Sequence, residues 1–81
     1  MTNVTTSESR ASIEQTLDFL RIAKKTGDGE RERVFTIHIV RYLEALKRAH
    51  SASDVRLAAR IERFVVERDY EAAIQVWEGR R

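Results

Sequence analysis

Residues 34–49, VFTIHIVRYLEALKRA, form the longest apolar-rich run of the chain, and their reading decides the fold. At 3.6 residues per turn, Phe35, Ile39, Tyr42, Leu43, Leu46 and Ala49 gather on one broad helical face. Arg41, Glu44, Lys47 and Arg48 fall on the other side. The first half, VFTIHIV, is β-branched and aromatic and also reads as a buried strand. The second half, RYLEALKRA, consists largely of good helix formers. No Gly, Pro, Asn or Asp separates the halves, so the pattern predicts one continuous central helix. Ile37 and Val40 fall among the charges. Two β-branched apolar side chains gain nothing on a wetted face, so a neighbouring helix or a partner chain is expected to cover them.

Upstream, residues 1–8 are small and polar and read as a mobile tail. Helix one is predicted over residues 9–25, with Ser7 or Ser9 as its cap. Ile13, Leu17, Leu20 and Lys24 trace its buried stripe, and Phe19 and Ile22 lie off centre. Lys24 and Lys25 meet the negative end of the helix dipole. Thr26-Gly27-Asp28-Gly29 then stops the helix, because Gly27 readily takes a left-handed cap conformation. Asp28 or Gly29 starts the central helix, with Glu30 and Glu32 in its first turns. The Gly-Asp-Gly loop lacks the spacing of a P-loop and the repeated carboxylates of a calcium loop. It reads as a helix–helix connection.

Downstream, the central helix ends near His50, and Ser51 with Asp54 has capping-box spacing. Helix three is predicted from there to about Arg68, burying Leu57, Ala58, Ile61, Phe64 and Val65. Val55, Ala59 and Val66 make a second, weaker stripe nearly opposite. Asp69 caps a short fourth helix, residues 70–79, with Tyr70, Ala73, Ile74 and Trp77 on one face. The alternative is a single bent helix, since no glycine parts the two. The stretch ERDYEAAIQVWE resembles the turn and second helix of a tetratricopeptide repeat. Asp69, Tyr70, Ala73 and Ile74 match its pattern, and Arg68 stands where that pattern has glycine. The resemblance implies a helical hairpin over a dozen residues. No second copy follows at a period of about 34 residues, so it does not extend to the family's arrays.

Composition bounds the function. Eighty-one residues make one domain, which buries only about two-thirds of its unfolded surface; association can complete so modest a core. There is no cysteine, and so no disulfide or thiolate site. His38 and His50 lie about three turns apart on one helix, too far to share a metal ion. No metal and no cofactor are expected. The serines sit beside helix starts, and no Gly-x-Ser-x-Gly turn occurs; an enzyme is not expected. No stretch approaches the roughly 20 apolar residues of a membrane span, and residues 1–10 lack the features of a secretory signal. The expected location is the cytoplasm.

Fifteen basic and 13 acidic residues leave a net charge of +2, a dense but nearly balanced surface. The sharpest polar pattern is Arg56, Arg60 and Arg63, one strip of helix three continued by Glu67. A solvated face accounts for it, and so does a docking strip for an acidic partner or for phosphate. The predicted fold is all-α: a compact antiparallel bundle of three long helices and a short C-terminal one. The predicted function is a non-enzymatic protein-binding or regulatory module. An arginine-rich chain of this size suits a bacterial or phage regulator or inhibitor. Its expected partner is another protein or its own copy, as a homodimer. Ile37 and Val40 with Arg56, Arg60 and Arg63 are the candidate contact residues. The alternative is a small nucleic-acid-binding regulator using the same basic strip.

Overall fold

The computed structural model describes residues 6–49 and 51–79, with side chains described at 12–48 and 51–79. The run 34–49 lies within one uninterrupted helix, α2 (Gly29–Ala49), preceded by α1 (Thr6–Thr26). After it come α3 (Ala52–Val66) and α4 (Tyr70–Gly79), so the third and fourth helices are separate. Among the described residues there is no strand. Two bounds differ from the sequence reading. α1 begins at Thr6, which places Ser7 and Ser9 inside the helix and not at its cap. The last residues of the expected tail are thus helical, and residues 1–5 lie outside the described set.

The helices form two hairpins, α1–α2 and α3–α4, packed into a ring. α1 lies against α2 and α4, and α3 against the same two. Diagonal pairs meet only through side chains. Ile13, Leu17, Leu20 and Ala23 of α1 face Ile39, Leu43 and Leu46 of α2 across a core shared with α3 and α4. Ala58, Ile61 and Val65 come from α3, and Tyr70, Ala73 and Trp77 from α4. Each set recurs at three- and four-residue steps, the spacing that keeps side chains on one helical face. Leu57 and Phe64 are half-buried, not central: they pack on the outer side of this cluster, toward α4.

Both hairpin turns are built the same way. In the first, Gly27 has φ +74°; its N–H donates to the Lys24 carbonyl (3.2 Å), and the Asp28 N–H to the Ala23 carbonyl (2.9 Å). In the second, Arg68 has φ +61°; its N–H donates to the Val65 carbonyl (3.0 Å), and the Asp69 N–H to the Phe64 carbonyl (2.8 Å). These are two copies of one C-terminal helix cap. In each, the following aspartate caps the next helix by accepting the N–H of its third residue: Arg31 to Asp28 (3.1 Å) and Ala72 to Asp69 (3.2 Å). The second turn therefore holds an arginine in a backbone conformation that favours glycine. Its side chain explains why, as shown below. The third connection is the predicted serine cap, with Ser51 Oγ accepting from the Asp54 N–H at 3.1 Å.

Candidate functional site

Glu32 is the one buried acid among the described residues, 7 % exposed. Its position on the inner side of α2 turns the carboxylate toward the α3–α4 turn. Arg68 Nε donates to Glu32 Oε2 (2.6 Å) and Arg68 Nη2 to Oε1 (2.8 Å), a bidentate fork. The Tyr70 hydroxyl donates to Oε2 from within the core. Lys24 completes the arrangement from α1: its ammonium donates to the Arg68 carbonyl (2.8 Å) and stands 6.0 Å from the Tyr70 ring centre. One cluster thus joins α1, α2, the second turn and α4. The arginine side chain offsets the left-handed strain at its own backbone. The hydrogen bonds from Arg68, and secondarily that from Tyr70, hold the Glu32 carboxyl below its ordinary pKa against the opposing effect of burial. Burial, then the neighbouring Glu32 carboxylate, pushes the Tyr70 hydroxyl up. Every polar side chain here has its partner within the cluster, so its role is structural.

The sequence reading had Glu32 as an acid in the first turns of the central helix, and Lys24 on the inner stripe of helix one and as a dipole partner. Their true partners lie 36 and 44 residues away. No local signal distinguishes those roles.

Among the described residues, charge is left unpaired on the α3 strip, as it also is at Lys25 of α1 and at Arg33 and Arg41 of α2. Arg63 reaches Glu67 at 3.8 Å, both exposed, a pair worth little. Glu62 turns the other way and joins Lys47 of α2 at 2.6 Å. Among the described residues, Arg56 and Arg60 pair with no carboxylate. Arg60 borders two open depressions. One, of about 390 Å³, is lined by Ser53, Asp54, Arg56, Leu57 and Arg60. The other, of about 400 Å³, lies between α3 and α4 and is lined by Leu57, Arg60, Phe64, Ala72, Gln75, Val76 and Gly79. They share Leu57 and Arg60 and so adjoin as one shallow groove of mixed lining, with Leu57, Phe64 and Val76 as its large apolar side chains and Arg56, Arg60 and Asp54 as its charged ones.

The other two expected contact residues part company. Val40 is half-buried and packs on the core cluster, so its cover is internal. It stands two turns before Lys47, on the side of α2 that meets α3. Of the two covers expected, a neighbouring helix or a partner chain, Val40 has the first: that side of the wheel is the α2–α3 seam. Ile37 lies further round and is 52 % exposed. Val55, Ala59 and Val66 occupy the matching outward side of α3, beyond Glu62, and all are exposed. Val66 is 76 % exposed.

An aromatic ladder on the α1–α2 seam has no counterpart in the sequence reading. Phe19 stacks on Phe35 with ring centres 5.1 Å apart, His38 meets Phe35 edge-on at 6.4 Å, and Tyr42 follows at 6.5 Å. His38 is exposed, although it lies within the apolar run. His50 lies outside the described residues. Trp77 is core, on the face it shares with Tyr70 and Ala73. Among the described residues no cluster of three or more His, Cys, Asp or Glu is placed to hold a metal ion. None of their helices is long and apolar enough to cross a membrane. Set against protein-family models, curated proteins and solved structures, the chain finds no match in any of the three.

Proposed function

We propose that the chain is a non-enzymatic protein-binding module, regulatory in character, that takes an acidic partner surface along α3. The observation that carries this is the unpaired state of Arg56 and Arg60 beside the large apolar side chains of the groove. Guanidinium groups recognise carboxylates through paired hydrogen bonds, and neighbouring apolar side chains supply the area that such contacts lack. Nucleic acid is the weaker reading. A single-strand binder stacks successive bases on several aromatic rings beside its cations, whereas the lining around the α3 arginines offers one ring, the half-buried Phe64. Titrating the protein with a glutamate-rich peptide and with duplex DNA, at several salt concentrations, tests it. The peptide binds, and Arg56→Glu with Arg60→Glu weakens it about tenfold or more while the melting temperature holds. Tighter binding to DNA, with a steep salt slope, overturns the protein reading.

A second reading, self-association, is favoured by the outward apolar residues Ile37, Val55, Ala59 and Val66, which flank one seam. Two-fold dimers are the commonest closed assembly. In this reading Ile37→Glu yields folded monomers in sedimentation. Val40→Glu, by contrast, lowers the melting temperature, because that side chain packs inward. A wild-type monomer at every concentration ends the dimer reading.

A further inference from the structure

We propose that the occupant of the α3–α4 groove is an amphipathic helix with an acidic flank; this rests on the protein-binding reading above. Three features point there. First, the groove carries large apolar side chains: the outer sides of Leu57, Phe64 and Val76 face it, while their inner sides pack on the core. Second, its rims differ. The α3 rim carries Arg56 and Arg60 with one acid, Asp54, and so is cationic on balance, whereas the α4 rim offers Ala72, Gln75 and Gly79, with no charge. An occupant must be apolar below and acidic on one side only, which orients it. Third, the fold selects the occupant's backbone. Among the described residues all secondary structure is helical, so no sheet edge is free to pair with an added strand. An extended peptide in this groove leaves its own N–H and C=O groups unpaired over apolar side chains. A helix satisfies them internally.

Arg63 lines neither depression, whereas Arg56 and Arg60 border the groove, so the occupant's carboxylates meet that pair. α3 spans 15 residues, about 22 Å at 1.5 Å per residue, so a helix of about 15 residues covers the groove.

The test uses the full chain, isotope-labelled, and a synthetic peptide of about 15 residues. Its leucines follow helical spacing and its glutamates lie on one flank. A control peptide carries a central proline. The expected result is chemical-shift change at Leu57, Arg60, Phe64 and Val76, with affinity about tenfold or more weaker for the proline control. Arg60→Glu, at an exposed position, weakens the helical peptide about tenfold with no change in melting. Equal binding of the proline control overturns the helix and leaves an arginine strip that reads charge alone. Shifts confined to the Phe19–Phe35 side, or no binding of either peptide, overturn the groove as the site. The glutamate-rich peptide and DNA titration judges the broader module reading separately.

Discussion

Truncating Trp77 to alanine lowers the free energy of unfolding by about 3–5 kcal/mol. The side chain is 2 % exposed and sits where α4 meets Leu17 of α1. α4 has only ten residues, too few to be stable alone, so its helicity depends on this buried face. Calorimetry or circular dichroism across temperature reads the effect directly. Leu46→Ala belongs in the same range, about 2–5 kcal/mol, because Leu46 is fully buried in α2. Phe64→Ala costs less, since half of that ring already faces the groove. Val66→Ala leaves melting nearly unchanged. Native-like melting of the Trp77 variant contradicts the described α1–α4 packing.

The second large effect comes from Glu32. Its replacement by alanine leaves the Tyr70 hydroxyl buried without its acceptor, at about 1–3 kcal/mol, and frees Arg68 to solvent. Acid acts on the same group reversibly, removing the charge that Arg68 pairs with but leaving the carboxyl in place. The folded-state pKa of Glu32 is depressed, so its contribution is complete above the unfolded value of about 4.3 and is lost as pH falls through that value toward the folded one. Stability of the wild type therefore falls on acidification below about pH 4.5, and Glu32→Gln flattens that part of the profile. Two variants at position 68 separate side chain from backbone. Arg68→Ala loses the fork to Glu32 and keeps the left-handed strain; Arg68→Gly loses the fork and relieves the strain. The glycine variant melts above the alanine variant and below the wild type. Equal melting of all three contradicts the role assigned to the cluster.

What was legible in the sequence follows from the range of each interaction. Gly27, Asp28, Ser51 and Asp69 act on backbone within five residues of themselves, so composition and spacing reveal them. The helical stripes are equally local, and Leu43, Leu46 and Ile61 lie where their periodicity puts them. The Glu32–Arg68–Tyr70 cluster is different. Each member has an adequate local explanation, as a first-turn acid, a helix-end base and a core aromatic, and only the packing of hairpin on hairpin brings them together. The single sequence-level trace was Arg68 in place of a glycine, which the +61° dihedral now explains. Val40 and Ile37 looked alike on the wheel because both sit off the apolar face. The α2–α3 seam covers one and leaves the other in water. Of the strip on α3, its spacing was evident from sequence, but the groove beside it depends on where α4 returns.

The central claim is that α3 presents Arg56 and Arg60 to an acidic protein partner. Its most direct measurement is photo-crosslinking in the native host, with a benzophenone side chain at exposed position 75 on the groove's α4 rim and, as the control, at exposed position 22 on α1. The account predicts a protein adduct at position 75 whose linked segment is rich in Asp and Glu, which Arg56→Glu with Arg60→Glu abolishes and position 22 does not give. Crosslinking to nucleic acid at position 75, or the same adducts from both positions, contradicts it.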